Sequence, residues 1–199
     1  MLVLAAAFAA FLGAGGVSDD VEIRGRVVRV ADGDTLTIFA ASVGSAPRAD
    51  RIPATQHKIR LCGIDAPEKS QAFGNVSRKH LSSLVFGKDV RVKYKSRDKY
   101  GRILGTVYID GLDVNLEMIR AGLAWHYKRY DSTPAYAAAE LEARQNRRGL
   151  WSDSNPTPPE QFRHASSSMR HNRKCENYRK THGYPCSKDE GSPCGKRGG

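Results

Sequence analysis

The amino-acid sequence predicts a mainly β protein with helices, an α+β domain built on one five-stranded barrel. Its 199 residues are 40% apolar and 27% charged, which suits a single soluble domain with tails. Five segments have the alternation of apolar and polar side chains that indicates β-strands. A helical pattern lies between the third and the fourth of them. This order is typical of a partly open barrel with a helix across one end, the OB-fold.

The predicted strands follow from this alternation and from the turn residues between them. The first strand leads into a turn at Asp32-Gly33-Asp34, where we expect Gly33 to supply a backbone conformation that other residues avoid. The second strand then returns, so the first two strands form a hairpin. A long loop, 41–56, separates this hairpin from the third strand. The five predicted strands cover residues 22–30, 35–39, 57–64, 90–94 and 103–109.

Three helices are predicted from apolar residues at helical spacing and from the residues at their ends. Gly87 follows the first helix and is expected to terminate it. Asp113 begins the second, because an aspartate at this position caps the free N–H groups of the first turn. The three predicted helices cover residues 70–86, 113–122 and 133–148.

Residues 1–18 are predicted to precede the folded domain. The first 17 residues carry no charge and end in small residues, and Asp19-Asp20 follows shortly afterwards. This stretch is short for a membrane span, which needs roughly 20 residues. A cleaved secretory signal fits it best, and an uncleaved N-terminal anchor or a buried strand or helix are the alternatives. We therefore expect a secreted or periplasmic protein, or one held at the membrane by this segment.

Residues 156–199 are predicted to form a basic, weakly ordered tail after a domain that covers 19–155. The run Asn-Pro-Thr-Pro-Pro at 155–159 stops any preceding helix. Beyond it there are nine Lys and Arg against four Asp and Glu, and aliphatic residues are almost absent, so the tail has little apolar surface to bury. Its three cysteines, at 175, 186 and 194, either form one disulfide with a thiol left over or bind a metal ion with a neighbouring histidine.

The net charge of the chain is +11, with a sequence pI of about 9.7. Such an excess predicts a polyanionic partner, either nucleic acid or an anionic membrane surface. The composition also excludes collagen-like, coiled-coil and disulfide-rich proteins. The glycines show no triplet period, no heptads run through the chain, and four cysteines are too few for a disulfide-rich scaffold.

Three short charged motifs carry the chemistry of the predicted domain. They are Asp-Gly-Asp-Thr at 32–35, Arg-Leu-Cys-Gly-Ile-Asp-Ala-Pro-Glu at 60–68 and Asp-Lys-Tyr-Gly-Arg at 98–102. Carboxylates are ligands of hard divalent cations, and arginine makes paired hydrogen bonds to phosphate. Each motif alone is weak, because Arg60 beside Asp65 or Glu68 is more often a surface ion pair than a catalytic group.

In this order the motifs resemble those of the staphylococcal nuclease (thermonuclease) family. The resemblance extends to Asn-Leu at 115–116, Gly-Leu-Ala-Trp at 122–125 and Arg-Gly-Leu-Trp at 148–151, and it covers roughly residues 22–151. It implies an OB-fold barrel and Ca²⁺-dependent hydrolysis of phosphodiester bonds in DNA and RNA. Together with the N-terminal segment, it predicts an exported, sugar-nonspecific endonuclease. It further implies a preference for single strands, a monomer, and no obligate protein partner.

The resemblance also implies roles for individual residues at a Ca²⁺ site. Asp34 and Asp65 match two Ca²⁺-binding carboxylates, and the main-chain carbonyl of Ala66 matches the third protein ligand. The type enzyme has threonine in place of Ala66, a difference that leaves a main-chain ligand unchanged. Glu68 matches the carboxylate that activates the attacking water.

The remaining matched residues are implied to contact the substrate. Arg60 and Arg102 match the two arginines that stabilise the phosphoryl transition state. The other substrate-binding residues are Lys99 and Tyr100, at the phosphate next to the scissile bond, and a base-stacking tyrosine, which is either Tyr127 or Tyr130.

Two other functions stay open on the sequence alone. A staphylococcal-nuclease-like domain can act as a non-catalytic nucleic-acid-binding module, although such domains usually lose the carboxylates or arginines that this chain retains. A surface-anchored protein could instead use the basic tail to hold an anionic polymer or a membrane. Turnover of nucleic acid distinguishes the nuclease from both of these.

Overall fold

A computed structural model of the protein describes residues 21–40 and 55–182. The expected signal segment at 1–18 lies outside these ranges, as do most of the loop 41–56 and the cysteines Cys186 and Cys194. The predicted domain boundaries at 19 and 155 stay predictions.

Eight strands are present in the described residues. They are β1 (Val21–Val30), β2 (Thr35–Ala40), β3 (Thr55–Leu61), β4 (Ile64–Asp65), β5 (Asp89–Arg97), β6 (Ile103–Ile109), β7 (Leu112–Asp113) and β8 (Trp125–His126). Five of them are hydrogen-bonded in the order β3-β2-β1-β5-β6, and β3 also pairs in parallel with β6. This last pairing closes the sheet, so the predicted five-stranded barrel of the OB type is confirmed.

Four α-helices are present in the described residues, one more than predicted. They are α1 (Gly74–Val85), α2 (Val114–Arg120), α3 (Pro134–Gln145) and α4 (Pro159–His182), with a short 3₁₀ turn at Gly149–Ser152. The first three lie within the predicted ranges. The fourth lies in the segment that we expected to be a weakly ordered tail, so the prediction of three helices is wrong there.

Helix α4 begins directly after the proline run. Proline is tolerated in the first turn of a helix, because the N–H that it lacks has no intrahelical partner there, so Pro159 starts the helix rather than preventing it. The rest of α4 is polar, and ion pairs one turn apart support it, such as Glu176 and Lys180 with charged atoms 3.0 Å apart. None of the described helices is both long and apolar enough to cross a membrane.

The hydrophobic core fills the barrel and extends to the helices packed against it. In β6 every second residue from Ile103 to Ile109 is buried, as expected of a strand with one face inside a barrel. Leu81 of α1 and Met118 of α2 are fully buried in the same apolar cluster.

Asn115 connects α2 to the barrel from a fully buried position. Its Oδ1 accepts a hydrogen bond from the Val107 N–H at 3.1 Å, and its Nδ2 donates to the Cys62 carbonyl at 2.9 Å and the Gly105 carbonyl at 3.3 Å. Loss of this side-chain amide would leave buried backbone groups without these partners.

Replacement of Asn115 by leucine is therefore expected to lower the free energy of unfolding by about 2–4 kcal/mol, because each buried polar group left unpaired costs about 1–3 kcal/mol. Urea unfolding followed by circular dichroism measures the change. Asn146→Leu is the matched control, since Asn146 is exposed and donates to the Glu142 carbonyl; we expect a change below about 0.5 kcal/mol. Equal losses in the two variants would contradict the role assigned to Asn115.

Candidate active site

The three charged motifs line one cleft on the barrel, with a volume of about 1280 Å³. Its walls are the turn between β1 and β2, the end of β3 with the loop after β4, the turn between β5 and β6, and the first half of α4. The first three of these contain the motif segments 32–35, 60–68 and 98–102. The structure therefore brings together the segments on which the sequence prediction depended.

Strand pairing explains why the motifs meet. The β2–β3 register places Thr35 opposite Arg60, so Asp34 lies next to this arginine. The parallel β3–β6 pairing places Arg60 opposite Leu104, two residues after Arg102. Closure of the barrel thus brings both predicted arginines to one end of it.

Arg60 lies at the floor of the cleft between two buried carboxylates. Its Nη1 is 2.7 Å from Asp34 Oδ2, and its Nη2 is 3.0 Å from Asp65 Oδ1. Nη1 also donates to the Ile64 carbonyl at 3.1 Å. The side chains of Arg60, Asp34 and Asp65 are only 14%, 9% and 4% exposed. One guanidinium is therefore shared by two carboxylates away from bulk water.

The neighbouring loop fixes the position of Asp34. Its Oδ2 accepts a hydrogen bond from the Ala66 N–H at 2.8 Å, and its Oδ1 from the Thr35 hydroxyl at 3.0 Å. Gly33 permits this approach, because a Cβ there would overlap Ser77 Oγ and the Ala66 Cβ. The expectation of a special backbone conformation at Gly33 is wrong: its φ lies outside the left-handed region, and close packing is the reason for glycine.

Burial raises the pKa of both carboxyl groups at the floor of the cleft. It raises the pKa of Asp34 to about 6, although the charge of Arg60 opposes the shift. It also raises the pKa of Asp65, outweighing the lowering by Arg163 and Arg60. A raised carboxyl pKa means that the charged form lacks compensating interactions. An additional cation would therefore be stabilised here.

An arginine from α4 supplies part of this positive charge. Arg163 Nη2 lies 2.9 Å from Asp65 Oδ2, and its Nη1 lies 3.1 Å from Asp65 Oδ1 and 3.0 Å from Glu68 Oε1. Glu68 is thereby joined to Asp65 through one guanidinium. Arg163 could not be predicted from the sequence, because the composition of 156–199 indicated only a general excess of positive charge and no spacing related this residue to the motifs.

The turn between β5 and β6 presents basic and aromatic groups at the rim of the cleft. Arg102 Nε donates to Asp98 Oδ2 at 2.7 Å, and Asp98 Oδ1 accepts from the N–H groups of Tyr100 and Arg102. The Tyr100 ring is 72% exposed and its centre lies 5.3 Å from Lys99 Nζ and 5.6 Å from the Arg102 guanidinium. Lys99, Tyr100 and Arg102 thus form one surface, in which Asp98 orients the arginine.

Both tyrosines that the sequence left as alternatives line the cleft. The rings of Tyr127 and Tyr130 are 4.9 Å apart in an edge-to-face contact. Tyr127 is half-buried, whereas Tyr130 is 69% exposed. Tyr130 therefore offers the more accessible ring, and Tyr127 packs against it.

The donor set at the floor of the cleft fits a hard divalent cation. Its candidate ligands are all oxygens, the carboxylates of Asp34 and Asp65 and the carbonyl of Ala66, and oxygens are what Ca²⁺ selects. The Arg163 guanidinium, bound to Asp65 and Glu68, shows that a cation is accommodated here. Within the described ranges no three acidic, histidine or cysteine side chains converge in a ready-made metal centre, and guanidinium groups stand between these carboxylates.

The raised pKa of Asp34 predicts that its ionised carboxylate destabilises the metal-free fold. The group binds its proton more tightly in the folded than in the unfolded protein, so its favourable contribution is full below the ordinary pKa of 3.8 and is lost as the pH rises through about 6. Asp34→Asn keeps an acceptor oxygen but removes the charge. In EDTA at pH 8 we expect its Tm to lie about 2–4 °C above that of the wild type, with a difference that shrinks towards pH 4.

Asp153→Asn is the control for this experiment, because Asp153 is exposed and its Oδ1 accepts a local hydrogen bond from the Asn155 N–H. We expect its Tm to stay close to the wild-type value at each pH. A Tm below the wild-type value for Asp34→Asn at pH 8 would mean that the Arg60 ion pair outweighs the burial of the carboxylate.

Comparisons with known proteins identify the family. The profile of the family described as Staphylococcal nuclease homologue matches residues 58–153. The chain is 49% identical over 144 residues to an uncharacterized endonuclease of Escherichia coli, covering 72% of this chain and 86% of that protein. It is 46% identical over 138 residues to an uncharacterized endonuclease of Haemophilus influenzae, covering 69% of this chain and 71% of that protein. A probable staphylococcal-like nuclease of Oryza sativa subsp. japonica is 38% identical over 135 residues, covering 67% of this chain and 41% of that protein.

The resemblance inferred from the charged motifs is thereby confirmed. The closed barrel, the cleft that gathers the three motifs and these relatives agree with one another, and the chain belongs to the family of staphylococcal nuclease homologues.

Proposed function

We propose that the protein is an exported, Ca²⁺-dependent endonuclease that hydrolyses phosphodiester bonds in both DNA and RNA. Its family and its relatives named as endonucleases make it a nucleic-acid phosphodiester hydrolase. The observation that supports the specific mechanism is the ion-pair cluster of Arg60 with Asp34 and Asp65 at the floor of the cleft. A cleft that only bound nucleic acid would gain nothing from two buried carboxylates, because they repel phosphate.

Asp34, Asp65 and the Ala66 carbonyl are the proposed ligands of Ca²⁺. Two carboxylates and one carbonyl leave positions open for water and substrate, since Ca²⁺ takes six to eight oxygens. When bound, the ion supplies positive charge beside the scissile phosphate and its attacking water. The contribution of the chain is to hold the ligands in place, Asp34 through the Ala66 N–H and Asp65 through Arg60.

Arg60 and Arg102 are proposed to bind the phosphoryl oxygens in the transition state. A guanidinium is planar, stays protonated and makes two charge-assisted hydrogen bonds at once. Asp34 and Asp65 orient Arg60, and Asp98 orients Arg102. Because these carboxylates hold both guanidinium groups before the substrate arrives, less reorganisation of the arginines is needed when charge develops on the phosphoryl oxygens. A hydrogen-bond donor to these oxygens typically contributes a factor of about 10²–10³ in rate.

Glu68 is proposed as the general base that takes a proton from the attacking water. Its side chain is 38% exposed, so water reaches it, in contrast to the buried carboxylates of Asp34 and Asp65. An exposed carboxylate can also return its proton to solvent after each turnover. The buried carboxylates of Asp34 and Asp65 are therefore assigned to metal binding, and the more exposed carboxylate of Glu68 to proton transfer.

The rim of the cleft is proposed to hold the rest of the nucleic acid. Lys99 and Tyr100 would bind the phosphate that flanks the scissile bond, and the pair Tyr127 and Tyr130 would supply a ring for a base. Stacking on an exposed ring needs an unpaired base, so we expect single-stranded substrates to be preferred. All of these groups come from one chain, which supports a monomer as the active unit.

Export belongs to the proposal on the strength of the apolar segment before Asp19-Asp20. Expression of the full chain in a bacterium, followed by fractionation and mass spectrometry of the N-terminus, is expected to yield a periplasmic or secreted chain that begins close to residue 19. An intact chain in the membrane fraction would favour the anchor instead. An intact chain in the cytoplasm would contradict export.

In the full-length protein Glu68→Gln and Arg102→Lys are each expected to lower kcat and kcat/KM together by about 100-fold or more, with Ca²⁺ binding largely kept. The glutamine amide keeps the shape of Glu68 but cannot accept the proton. Lysine keeps the charge of Arg102 but loses the planar fork. Single-turnover cleavage of single-stranded DNA, with Ca²⁺ and with chelator, measures both effects.

Glu142→Gln and Arg97→Lys are matched controls, because they make the same chemical changes at residues outside the lining of the cleft. We expect them to cleave at close to the wild-type rate. Near wild-type rates in both Glu68→Gln and Arg102→Lys would contradict the mechanism. Binding of nucleic acid without turnover by the wild type would favour the non-catalytic binding module.

A further inference from the structure

The start of helix α4 is attached to the barrel at three points around the cleft. Just before the helix, the Thr157 carbonyl accepts a hydrogen bond from Gln71 Nε2 at 2.5 Å. In the first turn, Glu160 pairs with Arg129 at 3.3 Å. The third point is Arg163, whose partners are carboxylates of the candidate active site. The attachments lie on separate segments that border the cleft, so the first turns of α4 bridge them.

Arg163 engages both oxygens of Asp65. Asp65 Oδ1 accepts hydrogen bonds from two guanidinium groups, at 3.0 Å from Arg60 and at 3.1 Å from Arg163. Asp65 Oδ2 accepts from Arg163 at 2.9 Å, and the same guanidinium donates to Glu68 Oε1 at 3.0 Å. Asp65 is 4% exposed and Arg163 is 40% exposed. Arg163 thus stands between Asp65 and the solvent.

These oxygens are the ones that a metal ion would need. A carboxylate coordinates a hard cation through the same lone pairs with which it accepts hydrogen bonds. The positive charge of a guanidinium at this position also opposes the approach of a second cation. Arg163 and a metal ion therefore compete at Asp65.

We propose that Arg163 competes with the metal ion for Asp65 and Glu68, so that α4 sets the Ca²⁺ concentration at which the nuclease becomes active. The inference rests on the proposed function, because it takes Asp34 and Asp65 as metal ligands. In the metal-free protein the guanidinium occupies Asp65 and keeps Glu68 from acting on water. Binding of the metal ion moves the guanidinium away and frees Glu68.

The contact is of a kind that a divalent ion can reverse. The side chains of Arg163 and Glu68 are 40% and 38% exposed, so this ion pair is weak and screened by salt. In the pair with the buried Asp65, the guanidinium itself stays accessible to water. Beyond its first turns α4 is mostly exposed, so little packing resists its displacement. A divalent ion also brings twice the positive charge of a guanidinium to carboxylates whose negative charge is only partly balanced.

Calorimetric titration of the full-length protein with Ca²⁺ tests the inference. Arg163→Gln removes the competitor and keeps a residue that favours helix. Arg170→Gln is the matched control, because it removes the same charge two turns further along α4, where Arg170 lines the cleft and donates to the Ser166 carbonyl. We expect Arg163→Gln to lower the Kd for Ca²⁺ by about tenfold and Arg170→Gln by less than about twofold, since the control reports only the screened effect of charge.

Thermal unfolding gives a second readout. Without Ca²⁺ the Tm of Arg163→Gln should lie below that of the wild type, because Asp65 and Glu68 lose a counter-charge. At one fixed Ca²⁺ concentration the rise in Tm should be larger in the variant, because tighter binding stabilises the folded state more. The Ca²⁺ concentration for half-maximal cleavage should fall by the same factor as the Kd.

The outcomes separate this inference from the proposed function. A wild-type protein that binds no Ca²⁺ would overturn both. Ca²⁺ binding by the wild type, with equal or weaker affinity in Arg163→Gln or with an equal gain in the Arg170→Gln control, would overturn this inference alone. If circular dichroism shows a loss of helix in Arg163→Gln, the variant Arg163→Lys replaces it, because lysine keeps the charge but loses the planar guanidinium. A Kd for Ca²⁺ below the wild-type value in Arg163→Lys would then support the competition. An unchanged Kd would overturn it.

Discussion

The burial of two carboxylates, those of Asp34 and Asp65, is the constraint on which the rest of the site depends. Moving a carboxylate out of water costs on the order of several kcal/mol unless it is paired. Here the guanidinium of Arg60 is shared between the two carboxylates, and Asp65 is paired with Arg163 as well. The pairing with Arg60 requires the β1–β2 turn, the end of β3 and the strand β4 to meet. The β2–β3 register and the parallel β3–β6 closure bring them together. The geometry of the barrel and the chemistry of the cleft therefore have one origin.

Two guanidinium groups, those of Arg60 and Arg163, serve the three carboxylates of Asp34, Asp65 and Glu68, so the floor of the cleft is short of positive charge. The raised pKa of the Asp34 and Asp65 carboxyl groups is the sign of this imbalance. A fold optimised for stability alone would remove it, and functional sites are where proteins retain such costs. The imbalance favours any cation that reaches Asp65, whether a metal ion from solution or the guanidinium that α4 carries. The unbalanced negative charge lowers the stability of the folded protein, and the same charge favours the binding of a cation.

The parts of the structure that could be predicted are those with a local signal in the sequence. Alternation marks β6, apolar spacing marks α1, and Asp113 caps α2 by accepting a hydrogen bond from the Leu116 N–H, as its position suggested. The motif residues could be found because they lie in three short segments. The contact of Arg163 with Asp65 could not, because it joins residues far apart in the chain and arises when a polar helix docks on the barrel. The role of Gly33 was likewise hidden, since its close approach to Ser77 leaves no trace in the local sequence.

The connection between α4 and the site acts in both directions. Helix α4 has little apolar surface, so its docking depends on ion pairs with the barrel, and the pairs of Arg163 with Asp65 and Glu68 are among them. Thermodynamic linkage then requires that whatever replaces Arg163 on Asp65 weakens the docking of α4, and that whatever draws α4 away strengthens binding at Asp65. Nucleic acid is a polyanion and attracts the arginines of this helix. Under the proposed competition, substrate and metal ion would act on the same element, and helix α4 would take part in the control of the site as well as in the attraction of substrate.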